Sequence, residues 1–175
     1  SAPETDASAF FCWSSNITFA SLRFKDCHRA VSINPGVAHT PDNQLAKNIE
    51  NISILNCEFT QKEDEQRSES AAIQITGIWT FEQNEKKVML NADGTTTQLT
   101  AKSDCSGFSV SGVTISGNEI TYEIGIWIMG TGAMNDQNND GVVFRNFNIC
   151  ANRIDLPNTS GSAISAVHML ATDCN

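Results

Sequence analysis

Long apolar runs are missing from this sequence. No stretch approaches the ~18 consecutive apolar residues of a membrane helix, so no membrane span is expected. Basic residues are scarce: 11 Lys and Arg stand against 20 Asp and Glu, a net charge of -9. Nucleic-acid phosphates demand clustered Lys and Arg, so no nucleic-acid partner is expected. The same balance argues against a strongly anionic polysaccharide, unless the few bases gather in one cleft. No Cys-X-X-Cys or His-X-X-X-His occurs, which removes the common zinc spacings, and there is no phosphate loop or nucleotide fingerprint. The start, Ser1 to Phe10, lacks the basic-then-apolar profile of a secretion signal. Residues 1–9 read as a loose segment ahead of one domain over 10–175. The chain is expected to be already processed or part of a larger protein.

What is present is alternation. In Gly112 to Met129, Val113 and Ile115 alternate with Thr114 and Ser116, so the two pairs face opposite sides of a strand. Gly117-Asn118 breaks it with turn-tolerant residues, and Glu119-Ile120-Thr121 and Gly125-Ile126-Trp127-Ile128 supply two more short strands. No helical period appears.

The pattern recurs. Segments beginning at Phe19, Ile49, Val110 and Phe144 share one template, with apolar residues at the first, fourth and sixth places. A small or polar residue (Ser21, Asn51, Gly112, Asn146) holds the third, and Cys27, Cys57, Asn118 or Asn152 the ninth. Each segment is followed by a small residue and an alternating pair: Ala30-Val31-Ser32-Ile33, Ala72-Ile73-Gln74-Ile75, Gly125-Ile126-Trp127-Ile128 and Ala163-Ile164-Ser165-Ala166. Spacings of roughly 30, 60 and 35 residues fit a solenoid with loops of different length inserted at its corners. One turn cannot bury its own apolar side chains, each worth ~1.5–3 kcal/mol when buried. Stacking turns at ~4.8 Å buries them in columns. The expected columns are Phe19/Ile49/Val110/Phe144, Leu22/Ile52/Val113/Phe147, Phe24/Ile54/Ile115/Ile149 and Val31/Ile73/Ile126/Ile164. Two places beyond the Cys/Asn position stand Phe59, Ile120 and Ile154, but Arg29 in the first repeat. Cys27 and Cys57 are expected to stack as free, buried thiols, because parallel side chains do not bring their Cβ atoms to disulfide distance. The pairing of Cys12, Cys105 and Cys174 stays open.

These repeats resemble the right-handed parallel β-helix family, the pectate-lyase-like superfamily, over about residues 10–170. The resemblance implies an all-β right-handed solenoid of about four to five turns with long insertions, the longest over 77–107. Within that insertion Val88 to Leu99 reads as a hairpin turning at Asp93-Gly94. The family's Asn ladder at a tight bend is matched by Asn118 and Asn152, and Cys27 and Cys57 depart from it. The resemblance also puts Ser32, Gln74, Trp127 and Ser165 in one outward row on the first sheet, where related enzymes carry their cleft.

The function implied is a secreted domain that binds or processes a polysaccharide along that sheet, with Trp127 as a sugar-stacking platform. If it is an enzyme, it is a lyase or glycoside hydrolase. The alternative is a non-enzymatic structural or adhesion module, such as a tailspike or surface-protein shaft, since the fold hosts both. A homotrimer or larger assembly fits that alternative. No Asp-Asp pair, Gly-His-Gly or Arg-X-Pro-X-X-Arg stands where the family's hydrolases or lyases carry them. Candidate catalytic residues are His28 as a base with Arg29 as a carboxylate-binding cation, and Glu63 and Arg67 in the charged stretch QKEDEQRSES, which also reads as a solvated face. Asp136 and Asp140 offer oxygen ligands to calcium, without the spacing of a calcium loop, and no other cofactor is expected. Six cysteines and the sequons at Asn16, Asn51 and Asn158 point to a secreted protein, or one on a cell or virion surface.

Overall fold

The computed structural model describes residues 8–12, 14–33, 48–61, 70–76, 80–83, 86–90, 96–98, 109–129, 143–157, 161–167 and 170–172. Every regular element among them is a strand. In chain order these are β1 (Ser8–Cys12), β2 (Ile17–Ala20), β3 (Arg23–Lys25), β4 (Arg29–Ile33), β5 (Asn48–Leu55) and β6 (Glu58–Thr60). Then come β7 (Ala71–Thr76), β8 (Thr80–Gln83), β9 (Lys86–Leu90), β10 (Thr96–Gln98), β11 (Ser109–Ser116) and β12 (Glu119–Thr121). The last are β13 (Ile124–Met129), β14 (Val143–Cys150), β15 (Arg153–Asp155), β16 (Ser162–Val167) and β17 (Leu170–Thr172).

Apart from β8–β10, the chain visits three parallel sheets in rotation. The first holds β1-β4-β7-β13-β16, the second β2-β5-β11-β14-β17 and the third β3-β6-β12-β15. This is a parallel β-solenoid, with one layer per circuit. The long insertion adds an antiparallel sheet, in which Thr96–Gln98 pairs back on Leu90–Val88 as the hairpin expectation requires. β8 pairs with the other edge of β9, a strand the sequence did not announce.

The columns of the interior layers fall where the alternation puts them. Ile52 lies opposite Val113 and Val113 opposite Phe147, while Ile54, Ile115 and Ile149 form the next column. In the first sheet Phe10, Val31, Ile73, Ile126 and Ile164 line up. Val113, Ile115, Ile52, Ile54, Ile73 and Phe144 are wholly buried, which places the core inside the coil.

The first repeat is a correction. Ile17, not Leu22, stands opposite Ile52, and Phe19, not Phe24, opposite Ile54. The whole segment is shifted by five residues (24 − 19) from its expected register. Phe24 moves into the third sheet opposite Phe59, with rings 4.8 Å apart and 3° from parallel. The gain is physical. The shift puts an apolar ring in the place that the sequence register left to Arg29, and Arg29 lies instead opposite Ala71. Cys27 and Cys57 therefore do not stack. The neighbour of Cys57 in the layer before is Leu22, since Arg23 pairs with Glu58. Both cysteines are free thiols.

The shift also explains the third-place residues. Asn16, Asn51, Gly112 and Asn146 form one corner column, and all have left-handed backbone, with φ of 62°, 58°, 63° and 54°. Asn and Gly tolerate that region best. A Cβ on Gly112 would also sit 2.9 Å from Asn51 Oδ1. At the next bend Ser21, Asn56, Gly117 and Ala151 repeat the device, with φ of 55°, 52°, 69° and 54°.

Beyond that bend runs the asparagine ladder. Asn118 Oδ1 accepts from the Cys57 N–H at 2.9 Å, and Asn118 Nδ2 donates to Ile54 O at 3.0 Å. Asn152 repeats both roles one layer on: its Oδ1 accepts from the Asn118 N–H at 3.1 Å, and its Nδ2 donates to Ile115 O at 2.8 Å. Backbone groups turned inward at a bend lose water, and each left unpaired costs ~1–3 kcal/mol. The ladder supplies their partners.

Candidate functional site

The outward row of the first sheet has the expected register. Ser32 pairs with Gln74, Gln74 with Trp127 and Trp127 with Ser165. It is not an open cleft. Trp127 is 8% exposed, Gln74 1% and Ser32 3%, with only Ser165 half-buried. The Ser32 hydroxyl is engaged with that of Ser8 at 2.7 Å. A sugar stacks on an aromatic face where that face meets solvent, and little of Trp127 does here. Gln74 Oε1 is buried without a hydrogen-bond partner.

His28 and Arg29 flank the bend between the third and first sheets. The His28 Nδ1 meets the Ser70 hydroxyl at 3.1 Å. A serine beside a histidine is the start of a nucleophilic site, but here Ser70 is 0% exposed. Arg29 is also buried. Tyr122 fills the same bend, wholly buried, and donates its hydroxyl to Cys27 O at 3.1 Å. Its phenol is held well above the ordinary range, first by burial and then by the nearby Cys27. Burial also raises the Cys12 and Cys27 thiols. Low pKa is what makes a thiol reactive, so neither fits a nucleophile. This corner is a packed bend of the coil.

Glu63, Arg67, Asp136, Asp140 and Asn158 lie outside the described residues. Among the described residues no group of three or more His, Cys, Asp or Glu could hold a metal, and no helix is long and apolar enough to cross a membrane. Two sequons share one exposed corner: Asn51 Nδ2 donates to Asn16 Oδ1 at 3.0 Å.

The sequence reading missed an open groove of about 360 Å³ at the bend between the second and third sheets. Ser21, Arg23, Asn56, Glu58, Gly117 and Glu119 are among its walls. Glu58 and Glu119 stand opposite each other in the ladder. Arg23 Nε contacts Glu58 Oε2 at 2.9 Å, with side chains 86% and 48% exposed. An exposed pair of this kind contributes at most about 1 kcal/mol. The groove can meet a polar ligand with hydrogen bonds, but it has no aromatic wall. The signal for it was the outward column Arg23/Glu58/Glu119/Arg153, which appears only once the first repeat is in its true register.

No family model, no curated protein and no solved structure matches the chain.

Proposed function

We propose that the protein is a non-catalytic structural or adhesion module, a shaft-like piece of a surface or secreted assembly. The observation that carries this reading is the burial of the first-sheet row. Trp127, Gln74 and Ser32 are buried rather than turned to solvent. The proposed coil is right-handed, of pectate-lyase-like type, with between four and five turns. Its support is the strong handedness preference of parallel crossovers and the Asn ladder at Asn118 and Asn152. An extracellular or surface location is part of the proposal. It draws on the exposed sequon asparagines Asn16 and Asn51, which face solvent at one corner.

The test is direct. The protein is incubated with a panel of neutral and uronate-containing polysaccharides, and new reducing ends and unsaturated uronate absorbance are followed. No product is expected. Appearance of either, lost again in Trp127→Ala under conditions where that variant stays folded, overturns the module reading in favour of polysaccharide processing along the first sheet.

A further inference from the structure

The groove at the bend between the second and third sheets has its cause in the backbone. Ser21, Asn56 and Gly117 stand at that corner in successive layers, with left-handed φ of 55°, 52° and 69°. Left-handed backbone favours short or absent side chains, so the corner is pared back. Two residues further on, the outward column of Arg23, Glu58 and Glu119 carries long charged side chains. A short column beside a tall one makes a trench. A Cβ on Gly117 would strike Asn56 Oδ1, so the Asn56 amide lies over that glycine, within the trench. Leu22, 37% exposed, gives it one apolar wall. Its volume of about 360 Å³ is that of a small ligand cleft.

The charges in the trench do not balance. Arg23 Nε is held by Glu58 Oε2 at 2.9 Å. Glu119 stands beside Glu58 in the next layer, one strand spacing of ~4.8 Å along the ladder. On its other side Arg153 is turned to Asp155, with Nε 3.0 Å from Oδ2. Among the described residues Glu119 has no ion-pair partner, and like charges on adjacent strands destabilise each other. The two carboxylates and Asn56 Oδ1 are hydrogen-bond acceptors on exposed residues. The terminal N–H groups of Arg23 and the Ser21 hydroxyl are donors.

We propose that this trench binds an amino sugar with a free amine, a glucosamine-type unit of a glycan. An ammonium is a compact charge with three N–H donors. Seated between Glu58 and Glu119, with Asn56 Oδ1 as third acceptor, it relieves the repulsion of the two carboxylates. A guanidinium fork suits a single carboxylate, and here the acceptors are divided between two layers. A bare polyamine leaves Arg23 and Ser21 without an acceptor, whereas sugar hydroxyls supply one. The C–H face of the ring meets Leu22. A metal does not fit, since among the described residues no group of three His, Cys, Asp or Glu could hold one. The inference deepens the adhesion reading by naming what is bound, and rests on that reading only for the use of the site.

The experiment is isothermal titration calorimetry of the intact chain with a short linear glucosamine oligomer. Saturable binding is expected. It should be roughly tenfold weaker, or more, for the N-acetylated oligomer of the same length, whose amide carries no charge, and for the glucose oligomer, which has a hydroxyl there. Glu119→Gln and Glu58→Gln should each weaken it several-fold, with the circular dichroism spectrum unchanged. Glu50→Gln removes an exposed carboxylate from the second sheet instead and should leave binding as it was. Equal binding of the N-acetylated oligomer overturns the proposal. So does an equal loss in Glu50→Gln and Glu119→Gln, which would mean attraction by net charge without a site. Spermine bound as tightly as the sugar also overturns it, since the ammonium would then be recognised without its ring. Absence of binding strikes the ligand and leaves the module reading standing. Polysaccharide cleavage in the earlier assay would sink the module reading and leave these outcomes untouched.

Discussion

The first layer and the last layer of this coil end differently. At the first, Phe10 folds over the stack, its ring 5.3 Å from Phe19 and 5.8 Å from Phe24. Phe19 and Phe24 are buried as a result, and Phe10 takes the exposure on itself at 48%. At the last, Ile149 and Ile154 are half-buried and Ile164 is 50% exposed. Phe10 and Ile164 are the two ends of a single column. The two ends of that column are about equally exposed, and they differ in what Phe10 covers beside it. Stacked parallel strands always leave two unpaired edges. The lesson is that a single aromatic ring shields two buried neighbours in the first layer, while Ile149 and Ile154 of the last layer stay half-buried.

Substitutions can break this comparison. The largest effect is expected from Ile115→Asp, in the middle of a wholly buried column. An unpaired buried carboxylate costs several kcal/mol, comparable with the ~5–15 kcal/mol that holds a domain together. The variant should show no cooperative thermal transition by circular dichroism. Ile149→Asp lies in the same column on the half-open layer and should lose only ~1–2 kcal/mol. Equal losses would mean that the last layer is as closed as the middle.

Phe10→Ala removes the lid. A fully buried Phe costs ~3–5 kcal/mol on truncation, and a half-exposed one should cost about 1–2 kcal/mol. Denaturant midpoints would read this against Phe59→Ala, which removes a fully buried ring. A loss for Phe10→Ala as large as that for Phe59→Ala would contradict the picture of a surface lid.

The smallest effect at neutral pH concerns the buried phenol and thiols. Tyr122, Cys12 and Cys27 hold their protons more tightly folded than unfolded. Their contribution to stability is fully present below the ordinary thiol and phenol range. It is lost as pH rises above about 9–10, where the unfolded chain gives up protons that the folded chain keeps. The melting temperature should hold steady from pH 7 to about 9 and fall beyond. Tyr122→Phe should show a shallower alkaline fall, at the cost of one hydrogen bond, about 1 kcal/mol. An alkaline slope identical in Tyr122→Phe would remove the phenol from the account.

Much of the fold was legible in the residues. Val113-Thr114-Ile115-Ser116 and its relatives at Ile52 and Phe147 gave strands, faces and columns, because a two-residue period admits one burial pattern. Asn118 and Asn152 marked a bend that the hydrogen bonds confirm. The first repeat was not legible. Phe19-X-X-Leu22-X-Phe24 fits the template by spacing, yet Ile17-X-Phe19 also alternates, and only the neighbouring layer chooses between them. The candidate site fared less well. The row Ser32, Gln74, Trp127 and Ser165 has the register expected of it, but burial depends on what lies across the row, and no local pattern reports that.

The sequence by itself determined that this protein is a stack of short parallel strands. Local alternation, left-handed corner residues and the failure of one turn to bury its own apolar side chains leave few other solutions. Tertiary structure alone decided which five-residue register the first layer took. It also decided that Trp127 is buried, and that Phe10 packs over Phe19 and Phe24. Each of these depends on contacts between residues far apart in the chain, where packing selects among arrangements that local propensity leaves equal.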